Sequence, residues 1–185
     1  KVSRLVNDGI MKWVDAHPDK FVGLGTVPLQ DLSIALDTLD YIKNETSIKG
    51  LQILTNVNGM EISDKSLEKF WAKVEEYEFG VMLHPLGFSH GERFGNYYFT
   101  NVIGNPLDTT VALHYIIFNG LLERYPNLKI LGVHGGGFLP AYSGRIDHAW
   151  GARKDSYGNL PNPPTSYLKK LYFDTTVFTH EQLEY

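Results

Sequence analysis

Two of the seven histidines, His84 and His134, end apolar runs, Val81-Met82-Leu83-His84 and Lys129-Ile130-Leu131-Gly132-Val133-His134. Each stands directly before a chain breaker, Pro85 or Gly135. An imidazole at the end of a buried strand can ligate a divalent metal through a neutral ring nitrogen, or move a proton near neutral pH. The alternative for each is a strand end sealed by a backbone hydrogen bond; two such histidines on neighbouring strands weigh against it. Gly135-Gly136-Gly137 reads as a plain turn or as backbone that a substrate can approach because no Cβ intervenes. Arg145 reads as a solvated charge at a helix start or as a bidentate clamp for a carboxylate. Asp174, closing the run Leu171-Tyr172-Phe173, is a helix cap or a further site residue. The remaining histidines, His17 before a proline, His114 within a helix, and His90, His148 and His180 in loops or on surfaces, read as capping or surface groups.

The elements that must position these groups follow from periodicity. Leu5, Ile10, Trp13 and Val14 form a helical stripe ending before Pro18, and Phe21 to Val27 reads as a buried strand. Asp31 caps a helix with Ile34, Ala35, Leu39 and Ile42 on one face, followed by the strand-like run Gly50 to Leu54. Asp64 caps a helix bearing Leu67, Phe70, Trp71 and Val74, which Gly80 closes before the strand ending at His84. Asp108 starts a helix through Val111, Tyr115, Leu121 and Leu122 that stops near Pro126. The strand ending at His134, a helix around Ile146 to Arg153, a loop holding Pro161, Pro163 and Pro164, and the strand ending at Asp174 complete the series.

Strands predicted near 21–27, 49–54, 81–84, 129–134 and 171–174, each separated by a helix, indicate an α/β fold. The sheet should be parallel and paired in chain order. His84 and His134 then share the carboxyl rim, where barrel enzymes keep their chemistry. A closed eight-unit barrel takes about 250 residues, and five units already fill the 185 present. The pattern therefore favours one incomplete barrel domain over residues 1–185. An open doubly wound sheet lacks the spaced glycines of a phosphate loop. Tyr97-Tyr98-Phe99, in the long loop after His84, is expected to pack against the barrel top.

Composition narrows the function. Seventeen Lys and Arg against 21 Asp and Glu give a net charge of −4 with no basic run, which argues against nucleic acid or an anionic membrane as partner. Apolar runs stop after a few residues, too short for a membrane helix or a signal peptide. With no cysteine there is no disulfide, thiolate metal site or thiol nucleophile, which fits a reducing compartment such as the cytoplasm. The Lys1 start and the helix-like opening His180 to Tyr185 give the expectation that the chain is part of something longer.

The motifs FVGLGTVP at Phe21 to Pro28, GLQILTNVNG at Gly50 to Gly59, Leu83-His84-Pro85, Gly104-Asn105-Pro106 with Thr109-Thr110, LERYP at Leu122 to Pro126, HGGGFLP at His134 to Pro140, Gly144-Arg145-Ile146-Asp147-His148 and Tyr172-Phe173-Asp174 occur in that order. On them the chain resembles the amidohydrolase superfamily, within it the branch of aminocarboxymuconate semialdehyde decarboxylase and related metal-dependent decarboxylases. The resemblance implies a partial (β/α)8 barrel comprising strands three to seven. It also implies a single divalent metal, usually zinc, and non-oxidative decarboxylation of a small unsaturated or aromatic carboxylic acid. By motif His84 corresponds to the strand-five metal ligand, His134 to the strand-six acid/base, and Arg145 to an arginine that holds the substrate carboxylate across a homodimer. Hydrolysis of a lactone or amide on the same apparatus is the alternative within enzymes; a non-catalytic remnant or binding module is the alternative outside them. The family's His-x-His pair and strand-eight aspartate have no counterpart here, so the polypeptide alone is expected to be catalytically incomplete.

Overall fold

The computed structural model describes residues 1–88, 91–156 and 160–184. Helix α1, Val2–Ala16, leads into strand β1, Leu24–Gly25; α2, Leu32–Glu45, leads into β2, Gly50–Ile53. A short hairpin, β3 Asn56–Val57 and β4 Met60–Glu61, precedes α3, Glu68–Glu76, and strand β5, Gly80–Leu83. After a π-helical turn, Thr100–Gly104, come α4, Asn105–Phe118, α5, Leu121–Arg124, and β6, Lys129–Gly132. Short α6, Leu139–Tyr142, and α7, Gly144–Ala152, are followed by a 3-10 segment, Pro164–Lys170, then β7, Leu171–Phe173, and α8, His180–Glu184.

The main sheet has the order β1-β2-β5-β6-β7, every neighbouring pair is parallel, and pairing follows chain order. The in-step register Gly50↔Gly80 and Gly80↔Lys129 brings the carboxyl ends of the strands onto one rim. The core lies between sheet and helices: Leu39 and Ile42 of α2, Phe70 and Trp71 of α3, and Leu113, Ile116 and Ile117 of α4 are buried with Leu51, Val81 and Ile130 of the strands. Trp71 is accommodated because its Nε1 donates to the Ile62 carbonyl at 2.7 Å. Asp31 caps α2 by accepting the Ile34 N–H at 3.0 Å, as its position before the apolar stripe predicts.

Several expectations need correction. The first strand shrinks from 21–27 to Leu24–Gly25, because Phe21 and Val22 stand in solvent and β1 pairs with β2 alone. The stripe of α1 is a core face only in part: Val14 is buried and Ile10 packs against the core, but Leu5 and Trp13 are 65% and 66% exposed, and the helix also buries Asn7. Gly80 does not close α3; Glu78 takes the left-handed turn there at φ 59°, and Gly80 already pairs with Gly50. Helix α4 starts at Asn105 with Pro106 in its first turn, where proline loses no needed N–H, so Asp108 lies inside the helix, buried. The run through Leu122 is broken by Gly120, left-handed at φ 67°, into α4 and α5. Tyr97 and Tyr98 are exposed rather than packed on the sheet's top. His90 and Tyr185 lie outside the described residues. Among the described residues no helix is long and apolar enough to cross a membrane.

Candidate active site

The register that aligns β5 with β6 sets the two expected imidazoles side by side. His84 follows β5 directly and extends its ladder, donating its N–H to the Ile53 carbonyl at 3.0 Å. Its Nδ1 lies 2.9 Å from the Pro85 carbonyl oxygen. A carbonyl can only accept, so the proton resides on Nδ1 and Nε2 keeps its lone pair. The His134 ring is 5.5 Å from that of His84, centroid to centroid, with the planes inclined at 57°.

His134 is not the last residue of its strand, as periodicity suggested, but stands two positions beyond β6 in a tight turn. Its φ of 58° is left-handed, a conformation costing a non-glycine residue on the order of 1–3 kcal/mol and concentrated at functional sites. Asp174 holds it there. The carboxylate accepts from the His134 N–H at 3.0 Å through Oδ2, and from the Gly135 and Thr176 N–H groups at 2.7 and 3.1 Å through Oδ1. Burial works against ionisation of Asp174, but the donors of Gly135, Thr176 and His134 together outweigh it and hold the carboxyl below its ordinary value. Burial pushes the His134 imidazole down, the neighbouring His84 adds to this, and Asp174 partly opposes it. Together these favour the neutral ring over the imidazolium.

The three glycines are explained by the turn. All have positive φ, and a Cβ would meet Val177 Cγ1 at 2.3 Å from Gly135, the Phe173 ring at 2.5 Å from Gly136, and the Pro106 oxygen at 2.3 Å from Gly137. The space beside them is filled by the chain itself, so they serve close packing rather than substrate approach. Thr110 fastens this turn to α4, its Oγ1 donating to the Pro106 carbonyl at 2.7 Å and accepting from the Phe138 N–H at 2.8 Å.

Arg145 is placed differently. It is exposed in the first turn of α7, a helix with no buried residue, and makes no hydrogen bond or ion pair with another described residue. The fold thus joins His84 to His134, and the clamp role of Arg145 draws no support from a contact among the described residues.

Residue reasoning passed over two groups. Thr109, fully buried, reaches His134 Nδ1 at 3.2 Å; its hint was the Thr109-Thr110 pair one turn after Asn105. Asp108, also buried, accepts from Thr55 Oγ1. Its carboxyl is pushed up by burial, and that of Glu61 by burial and by the charge of Asp108.

A metal fits this chain only in part. His84 Nε2 is prepared as a ligand, but no group of three or more His, Cys, Asp or Glu able to hold an ion exists among the described residues. A zinc-type site takes three or four protein ligands, so the donors present do not complete one.

Consecutive parallel βα units with imidazoles on the carboxyl rim form a partial (β/α) barrel. A family model described as amidohydrolase matches residues 2–178, and the chain belongs to that family. The 2-amino-3-carboxymuconate-6-semialdehyde decarboxylase of Dictyostelium discoideum is 33% identical over 185 residues, 100% of this chain and 52% of that protein. Among solved structures, 5-carboxyvanillate decarboxylase from Sphingomonas paucimobilis superposes with a TM-score of 0.91 at 26% identity, covering 99% of this chain and 57% of that one. Dihydroxybenzoic acid decarboxylase from Polaromonas sp. JS666, with bound manganese and the inhibitor 2-nitroresorcinol, shares the fold with a TM-score of 0.87 at 24% identity, covering 98% and 59%. The chain therefore spans about half the length of the relatives it matches.

Proposed function

We propose that the protein to which this chain belongs is a metal-dependent carboxy-lyase that removes CO2, without oxidation, from a small unsaturated or aromatic carboxylic acid. The observation that carries this reading is the imidazole pair on the rim: His84 with Nδ1 on the Pro85 carbonyl and Nε2 free for a metal, and beside it His134 with Nδ1 on Thr109 and Nε2 left to exchange a proton. His134 Nε2 first takes up a proton from water; the carbon–carbon bond to the carboxylate then breaks, its electron pair stays on the substrate carbon, and the proton held on Nε2 passes to that carbon in place of CO2. Such proton transfer contributes roughly 10²–10⁴-fold in rate. A divalent metal would supply electrostatic stabilisation of the substrate's developing negative charge. The manganese of the Polaromonas neighbour makes the general assignment, a divalent ion, preferable to zinc in particular. Arg145, exposed and without a hydrogen bond or ion pair among the described residues, fits a role in a homodimer, where it would hold the substrate carboxylate in the partner's site. A cysteine-free, mildly acidic chain suits the cytoplasm.

The test is CO2 release by the complete, metal-loaded protein from a panel of aromatic and unsaturated carboxylates in D2O. The reading expects one CO2 per product and one deuterium at the vacated carbon. Turnover of lactones or amides without CO2 would replace it with the hydrolase reading.

A further inference from the structure

Thr109 Oγ1 sits between two partners, the Asn105 carbonyl oxygen at 3.1 Å and His134 Nδ1 at 3.2 Å, and the residue is fully buried. No water can substitute for either partner without displacing them. The hydroxyl has one hydrogen to give. The carbonyl can only accept, whereas Nδ1 donates or accepts according to tautomer. If the hydrogen went to Nδ1, Oγ1 and the Asn105 oxygen would face each other at 3.1 Å as two acceptors with no proton between them. If it goes to Asn105 O, the usual back-bond of a helical threonine to the carbonyl four residues earlier, an Oγ1 lone pair faces the ring. His134 then donates from Nδ1, and both close contacts become hydrogen bonds. One arrangement satisfies every group.

We propose that Thr109 is a positioning residue that fixes His134 in the tautomer protonated on Nδ1, leaving the lone pair on Nε2. Neutral imidazole in water prefers the opposite tautomer, so the enclosure, and not the ring, makes the choice. His84 is set the same way by the Pro85 carbonyl, so both rim imidazoles hold their Nε2 lone pairs free. The tautomer assignment stands on geometry alone; its catalytic consequence rests on the reading of His134 as the acid/base. In that reading Nε2 takes up a proton and returns it while Nδ1–H stays on Thr109 throughout. Asp174 fixes the backbone of the same residue, so the two contacts divide the work: Asp174 places the ring and Thr109 sets its protonation pattern.

The test is ¹⁵N NMR of histidine-labelled complete protein loaded with zinc, a diamagnetic ion, above the titration range of His134. His134→Gln assigns the signals. The expected spectrum has a protonated, pyrrole-type Nδ1 and a bare, pyridine-type Nε2. Thr109→Val, which keeps the shape and removes the hydroxyl, should move the ring toward the Nε2-protonated tautomer. It should also lower kcat roughly tenfold to a hundredfold, the usual scale for losing the group that orients a functional imidazole, with KM unchanged. Thr109→Ser should restore both. A wild-type ring protonated on Nε2, a Thr109→Val spectrum identical to wild type, or a loss that serine fails to rescue would each overturn the proposal. If Thr109→Val does not fold, the wild-type spectrum decides alone. Retained turnover in His134→Gln would instead overturn the acid/base reading, while the spectrum would still judge Thr109.

Discussion

His134 is the residue on which the site turns, and its geometry is borrowed from Asp174. A left-handed histidine persists because one carboxylate answers the two successive N–H groups of His134 and Gly135 with separate oxygens. In asparagine one of these two oxygen positions becomes an NH2 donor facing a backbone N–H, so Asp174→Asn orphans a backbone N–H and is expected to cost about 1–3 kcal/mol in denaturant unfolding. The pH dependence has a definite sign. The folded carboxyl lies below its ordinary value, so its stabilisation is present above the unfolded carboxylate pKa of about 4 and is lost as pH falls through the folded value. Stability of the wild type should therefore decline on the acid side more steeply than that of Asp174→Asn. Parallel acid limbs in the two proteins would show that the carboxylate does not carry this clamp.

At the scale of elements, the turn after β6 is held from three sides, by β7, by α4 and by Val177. Gly137→Ala would combine a φ of 66° with a Cβ 2.3 Å from the Pro106 oxygen and 2.4 Å from Thr110 Oγ1. A helix carbonyl cannot give way, so the cost is on the order of 3 kcal/mol or more. Gly59, with φ 82° but open space around it, should cost about 1–2 kcal/mol for conformation alone on changing to Ala. Equal losses in the two variants would contradict the packing argument. Much of this architecture is legible in sequence. The buried parallel strands are near-continuous apolar runs ended by Pro85 or Gly135, and that signal located the central strands and put His84 and His134 on one rim. Local pattern misleads where the cause is distant. The stripe of α1 looks like a core face throughout, yet only Ile10 and Val14 of it meet the core, while Leu5 and Trp13 stay largely exposed. Asp108 looks like a cap, yet Thr55, 53 residues away, receives it inside the helix. Thr109 and Asp174 reach His134 across 25 and 40 residues, and periodicity carries no information about such pairs.

For the whole molecule, the placement of Arg145 on an exposed helix makes its role a question about assembly. Suppose complete His134→Ala and Arg145→Ala proteins, each inactive, exchange subunits at random. One site in each mixed dimer is then intact if Arg145 acts across the interface, and about a quarter of wild-type activity should return. Continued inactivity, with exchange demonstrated independently, would confine Arg145 to its own subunit. The central claim is the division of labour between the two rim imidazoles, a ligand at His84 and an acid/base at His134. It is tested most directly by the metal content of the complete protein bearing His84→Ala or His134→Ala, measured beside turnover. The expected result is that His84→Ala loses the bound ion, whereas His134→Ala keeps it and loses roughly a hundredfold or more in kcat. An ion lost from His134→Ala, or retained in full by His84→Ala, would contradict that division.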